Sequence, residues 1–278
     1  MNANLLNEAK DFYNSGNSMK ATCKKFHTTP NILKKLFVAN NIYIRTQKEQ
    51  CIIENMKRAN FINHNYFSVL NNQNVYYLGF LAADGCVNKK NNSIKICLSS
   101  VDKDFLEQMR KNLQIENTIK IYQTNNGFEC CELKFSSLKI KQDLSLYGIV
   151  PNKTYIGLDL NLIPDEYKLA FIKGYFDGDG SFSYNKQTKQ AKISFTSHTK
   201  NILVQISKYF GSGYIYQDDK KNYSLEFSTI PSLDIMETFY KLESPYLSRK
   251  RNKYLECLIL RNNFPRDKAP LIEDEKIC

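Results

Sequence analysis

Two stretches of the chain are apolar almost throughout, with no regular alternation of polar residues. The first is Tyr76-Tyr77-Leu78-Gly79-Phe80-Leu81-Ala82-Ala83-Asp84-Gly85. The second is Phe171-Ile172-Lys173-Gly174-Tyr175-Phe176-Asp177-Gly178-Asp179-Gly180, and its terminal acid follows that of the first by 95 residues. Small residues stand four apart in each: Gly79 and Ala83, then Gly174 and Gly178. Positions i and i+4 share a helix face, and small side chains on that face let two backbones approach closely. The pattern predicts two packed helices, about 74–84 and 168–179, that deliver Asp84 and Asp179 to one point.

Beyond each stretch the period changes from helical to alternating. Ile94, Ile96 and Leu98 alternate with Lys95, Cys97 and Ser99, while Ile193 and Phe195 alternate with Lys192, Ser194 and Thr196. A period of two is that of a strand with one buried face. Polar turns at 88–92 and 185–190 precede these strands, and helices at about 102–113 and 199–210 follow them. Hairpins come next, 118–124 with 128–136 and 213–217 with 223–228. Ile121-Tyr122-Gln123 and Ile215-Tyr216-Gln217 recur at nearly fixed offsets from the two acids, as do Phe135-Ser136 and Phe227-Ser228. Such recurrence implies duplication of one structural unit.

The element order αββαββα places four strands under helices on one face. The fold class is therefore α+β, with two pseudo-symmetric αββαββα units and a small all-α module in front. Two bare sheet faces side by side would form a double-sheet saddle. A solvated sheet face is the plainer explanation of the polar positions; a trough is favoured because the paired helices set acids at its middle.

The front module shows helical spacing over 5–13, where Leu5, Leu6, Ala9, Phe12 and Tyr13 share a face. Ser18 can cap a second helix, 19–26, that buries Met19, Cys23 and Phe26. Pro30 fits the first turn of a third, 30–39. That helix would turn Ile32, Leu33, Leu36 and Phe37 inward and Asn31, Lys34 and Lys35 outward. Three short helices of this kind are similar to a helix-turn-helix module, and equally to a generic helical bundle with solvated lysines. The expected boundaries are 1–45 for this module, 46–72 for a linker with some helix, 73–160 and 161–262 for the repeats, and 263–278 for a peripheral tail. Arg45 could add a backbone contact to nucleic acid.

Charge sharpens the picture. The 278-residue chain carries a net +11, of which residues 1–65 hold +6, so a polyanionic partner is favoured. No apolar run is long enough to span a membrane. The polar start of the chain does not resemble a secretion signal, so an intracellular location is expected. Eight cysteines include no C-x-x-C pair, which argues against structural zinc and for reduced, mostly buried thiols.

Tyr77 to Gly85 and Ile172 to Gly180 align without gaps to a nine-residue signature, and the chain resembles the LAGLIDADG homing endonuclease family in its single-chain, two-motif form. The first copy departs from the signature at Tyr77, Leu78 and Ala82; the second keeps both acids, Asp177 and Asp179. The resemblance covers roughly 73–255. It implies a monomeric, site-specific endonuclease on double-stranded DNA with a long asymmetric target, cutting both strands across the minor groove to leave short 3′ overhangs. It also implies Mg2+, as two or three divalent ions, held by Asp84 and Asp179 with the carbonyls of Ala83 and Gly178. Such ions, about 4 Å apart, activate water and stabilise the leaving oxygen.

One lysine per half completes the family's active site, and Lys153 and Lys250 occupy that region. Each would stabilise phosphate charge or orient water, with Arg249 and Arg251 neutralising phosphate nearby. Candidate base and backbone readers are Lys95, Ser99, Lys134, Lys192, Thr196, Tyr214, Tyr216 and Gln217. A non-cutting RNA maturase or transcription regulator on the same scaffold is the alternative.

Overall fold

The computed structural model describes residues 2–58, 61–219 and 221–262, so the expected tail at 263–278 lies outside the described residues. The chain divides into two compact units, Met1–Phe61 and Ile62–Cys278.

The first unit holds α1 (Ala3–Asn14), α2 (Met19–Lys25), α3 (Pro30–Ala39) and α4 (Gln47–Arg58). Side-chain oxygens of Asn2, Ser18 and Thr29 accept the N–H of Leu5, Ala21 and Ile32, so each of the first three helices starts at a polar cap. Ala9, Tyr13, Cys23, Leu33 and Phe37 form the core. Two expectations need correction. Ile32 points outward, 53% exposed, because Leu33 and Phe37, four apart, already define the inward stripe of a ten-residue helix. Arg45 is a structural tie: its guanidinium lies 4.0 Å from the Tyr13 ring and donates to the carbonyls of Tyr13 (2.8 Å) and Asn17 (2.7 Å).

The stretch 46–72, expected as a linker with some helix, is divided between the two units. Its first part is the regular helix α4 in the first unit, and its last part belongs to the second unit. There Ile62 and Phe67 are buried in the large core, and the Asn63 N–H donates to the Leu113 carbonyl at 3.0 Å. Charged and Asn-rich composition concealed these two apolar anchors.

The second unit begins with α5 (Asn72–Asp84), β1 (Gly85–Val87), β2 (Ser93–Ser99), α6 (Lys103–Asn112), β3 (Lys120–Gln123), β4 (Glu129–Ser136) and α7 (Leu138–Leu146). A one-turn helix, α8 (Lys153–Ile156), leads to the second repeat. That repeat comprises α9 (Lys168–Asp179), β5 (Gly180–Asn185), β6 (Gln190–Ser197), α10 (Lys200–Phe210), β7 (Tyr214–Gln217), β8 (Tyr223–Phe227) and α11 (Thr229–Lys241), and α12 (Ser248–Asn262) closes it. Both repeats thus have the order αββαββα. Their sheets share one antiparallel topology, β1-β2-β4-β3 and β5-β6-β8-β7.

Register sorts the sheet faces. Ile94 pairs with Phe135 and Ile96 with Leu133 on the core side; Ile193 with Phe227 and Phe195 with Leu225 repeat the arrangement. Alternation then places Lys95 opposite Lys134, and Ser194 opposite Glu226, on the other face.

Helices α5 and α9 are apolar on nearly all sides, which suits helices enclosed between each other and their own sheets. Asn71 and Asn74 form a reciprocal capping box at the start of α5, and the Asn74 amide also donates to the carbonyls of Tyr66 and Val69. At the crossing, a Cβ on Gly79 would stand 2.8 Å from the Phe171 carbonyl carbon and 2.9 Å from Tyr175 N. A Cβ on Gly174 would stand 2.8 Å from Phe80 N. Backbone meets backbone there, so only glycine fits.

Candidate active site

Both motif helices end at an acid followed by a glycine in extended conformation. Gly85 and Gly180 are required for space, since a Cβ would lie 2.5 Å from the Leu81 carbonyl oxygen or 2.6 Å from that of Phe176. The chain leaves each helix directly into a strand, β1 or β5, and the acids stand where the two helices converge. A Cβ on Gly178 would overlap the Ala83 methyl and sit 3.2 Å from Asp84 Oδ2, so the second motif presses its backbone against the first acid.

The electrostatics describe one centre. Burial raises the Asp84 carboxyl above its usual range, while Lys250, Lys153 and Arg249 oppose the rise and Asp102 adds to it. Asp179 is pushed up to about 6, first by desolvation and then by the negative charge of Asp84, against Lys153 and Lys250. The Asp179 side chain is open to solvent on one side, and the protein packed behind it supplies the desolvation.

The two lysines take equivalent positions. Lys153 Nζ donates to the Gly85 carbonyl at 2.5 Å, and Lys250 Nζ to the matching Gly180 carbonyl at 2.6 Å. Both side chains are buried, at 8% and 3% exposure, and burial lowers both amines, that of Lys250 to about 8. Lys250 also donates to the carbonyls of Phe176 and, at 2.9 Å, Asp177. An ammonium has three protons, so Lys250 spends all of them on main-chain oxygens. In this arrangement the Lys250 charge acts on the two acids through space.

Two acids and the main chain of two helix ends make an all-oxygen donor set, which suits a hard cation such as magnesium. Carboxylates raised by burial, and in Asp179 also by the charge of Asp84, gain from such a charge. A cavity of about 40 Å³ opens beside Asp179, lined also by Lys153, Tyr175, His198 and Thr199.

The remaining sequence candidates fall into three groups. Ser99, Lys134, Lys192, Thr196, Tyr214 and Gln217 are exposed on the sheets, with Lys95 and Tyr216 half-buried. Lys95 lies 3.6 Å from Glu132, and Lys192 and the Tyr216 hydroxyl both bond Glu226 at 2.9 Å. Lys95 and Lys134 directly opposed are unfavourable by themselves, and an anion would relieve them. Arg249 and Arg251 start α12: Arg249 Nε bonds Asp102 at 2.9 Å, and Arg251 Nη1 donates to the Tyr246 hydroxyl at 3.0 Å. Asn31, Lys34 and Lys35 are exposed on α3 of the first unit.

Sequence reasoning missed Asp102 and Lys173. Asp102 gave no signal outside its ion pair. Lys173 could have been found as the lone cation inside an apolar helix. Thiols also differ from expectation among the described residues: all are free, but Cys51 and Cys86 are exposed and Cys97 and Cys130 half-buried. Alternation put Cys86, Cys97 and Cys130 on the open sheet side. No described helix is long and apolar enough to cross a membrane.

The chain is similar to an uncharacterised protein of Methanocaldococcus jannaschii, MJ0314, at 29% identity over 182 residues, spanning 62% of this chain and 63% of that relative. Among solved structures, it is similar to the LAGLIDADG meganuclease I-AabMI bound to uncleaved DNA, with a TM-score of 0.50 and 15% identity over 70% of this chain and 91% of that one. It is also similar to the meganuclease I-SmaMI bound to uncleavable DNA, with a TM-score of 0.48, 15% identity and coverage of 68% and 91%. At such identity the likeness to I-AabMI shows the fold alone, two antiparallel four-stranded sheets with helices. The family profile described as LAGLIDADG-like domain matches residues 72–142 and 166–241, more than half of the chain and one match per repeat. The protein belongs to the LAGLIDADG-like domain family.

Proposed function

We propose that the protein is a site-specific endonuclease of the homing type that hydrolyses double-stranded DNA with divalent metal ions. One observation carries the reading: two acids converge at a glycine-packed helix crossing, each with a buried lysine on the carbonyl of the glycine that follows it. Support also comes from the net charge of +11 and from I-AabMI having been solved with DNA.

Asp84 and Asp179, with the carbonyls of Ala83 and Gly178, would hold Mg2+. When bound, such ions polarise the scissile phosphate and lower the pKa of a coordinated water. The protein's own residues set the stage for this. Lys153 and Lys250 hold the helix ends and bias both acids toward the ionised form. The Arg249 guanidinium, fixed through Nε by Asp102, would offer its remaining nitrogens to a backbone phosphate.

The polar sheet faces would read the duplex: Lys95, Ser99 and Lys134 in the first repeat, Lys192, Thr196, Tyr214 and Tyr216 in the second, with Arg251 on the backbone. Gln217, paired with Tyr223 at the end of β7, alternates with the core side beside Ile215 and lies off that face. Reading by two unlike faces implies an asymmetric target and a monomer. The front unit would act as a helix-turn-helix module, with Asn31, Lys34 and Lys35 of α3 in the major groove.

The test is selection of bound duplexes from randomised DNA, followed by incubation of the winners with Mg2+ and wild type, Asp84→Asn or Asp179→Asn protein. Cutting of both strands by wild type alone is expected. Specific binding without cutting at any Mg2+ concentration would replace this reading with a non-cutting regulator or maturase.

A further inference from the structure

The two motif helices are chemically unequal at two buried positions. Where α5 has Leu78 and Ala82, α9 has Lys173 and Asp177. Lys173 and Asp177 are each 1% exposed. A buried charged group is costly unless its surroundings use it, so what these two hold is informative.

They hold one segment. Lys173 Nζ donates to Ser244 Oγ at 2.8 Å, with the rings of Tyr240, Tyr76 and Tyr246 at 5.5, 5.8 and 5.9 Å. Asp177 Oδ2 accepts the Leu247 N–H at 3.1 Å and the Tyr76 hydroxyl at 2.6 Å. Leu247 is the residue before α12, and its carbonyl accepts the N–H groups of Lys250 and Arg251. Lys250 in turn reaches back to the Asp177 carbonyl at 2.9 Å. Asp177 is thus gripped twice, by side chain and by main chain. Its Oδ1 has no hydrogen-bond partner, and the positive charges of Lys250 and Lys173 compensate it. In the first repeat, Lys153 holds the Gly85 carbonyl, and Leu78 and Ala82 offer its approach no polar group.

We infer that Asp177 is a positioning residue, which fixes the start of α12 through the Leu247 amide and the Tyr76 hydroxyl and so sets Lys250 and Arg249 against the acid pair. The restraint has no counterpart at Lys153. Its catalytic consequence rests on the proposed endonuclease function; its structural consequence does not.

The experiment uses the full chain in two arms. Amide hydrogen exchange of DNA-free protein is compared for wild type, Asp177→Ala, Asp177→Asn and Tyr76→Phe. Exchange over 245–251 is expected to rise about tenfold in Asp177→Ala and about threefold in Tyr76→Phe. It should stay near wild type in Asp177→Asn, whose side-chain oxygen still accepts the Leu247 N–H, and the sheets should be unchanged in all. If Asp177→Ala does not fold, Tyr76→Phe decides: no change over 245–251 overturns the inference.

In the second arm, with a selected duplex and Mg2+, Asp177→Ala is expected to lose at least about tenfold in kcat, with the DNA Kd measured without divalent ions held within about twofold. Asp177→Asn should recover cutting to within about threefold of wild type. Faster exchange with unchanged kcat overturns the positioning role. If wild-type protein cuts nothing, the functional reading fails, and the exchange arm still decides whether Asp177 holds the segment.

Discussion

Replacing Asp179 with asparagine should make the protein more stable while abolishing cutting. The carboxyl is raised from 3.8 to about 6 by desolvation and by Asp84. A tenfold change in proton affinity is worth about 1.4 kcal/mol, so about 3 kcal/mol would be at stake for a fully enclosed group. Asp179 is exposed on its open side, and solvent screening reduces the figure to about 1–1.5 kcal/mol.

The sign follows from proton binding. The unfolded chain releases this proton near 3.8 and the folded chain near 6, so between those values the folded state binds more protons and stability falls as pH rises. The penalty is complete above about pH 6 and vanishes below about pH 4. Urea unfolding without divalent ions should therefore show Asp179→Asn more stable than wild type by about 1–1.5 kcal/mol at about pH 7.5, with an unchanged m-value, and nearly equal to it at about pH 4. Mg2+ should stabilise wild type and leave the variant unmoved, because a ligand of the folded state adds stability only where it binds. A variant less stable at about pH 7.5, or equally favoured at both pH values, would refute the reasoning.

Gly174→Ala should cost about 3 kcal/mol in urea unfolding, because its Cβ meets the main chain of Tyr76 and Phe80 and the helices must part; the same displacement should lower cleavage about a hundredfold. Lys250→Met should cost about 3–5 kcal/mol by the same measurement, since it leaves Asp177 and three carbonyls without their buried cation. Divalent-ion affinity, followed by titration calorimetry with the DNA complex, should fall about tenfold per pH unit below about pH 6, where a proton competes for Asp179.

The acids and their crossing were legible in the sequence because they depend on local composition. Glycine at 79 and 174 announces close backbone approach, and Asp-Gly ends each helix. Strand register was equally plain, since a slip of one residue would bury Lys95 in place of Ile94 or Ile96. Ile32 was misplaced because a ten-residue helix has several apolar positions and only its partners choose the buried face. The grip of Lys250 on three carbonyls was invisible, since nothing in Ser248-Arg249-Lys250 records which oxygens lie 70 or more residues away. The boundary at 61 and 62 was hidden for a related reason: Ile62 and Phe67 stand among other apolar residues without helical or strand periodicity, and their value depends on the core they enter.

The central claim is that Asp84 and Asp179 share one metal centre on DNA. Crystals of the wild-type complex with a selected duplex, grown with Mn2+ and measured for anomalous scattering, test it directly. The account predicts ion peaks ligated by both carboxylates beside the scissile phosphates. A cutting-competent complex with its ions bound elsewhere, or with only one of the two acids as a ligand, would contradict it.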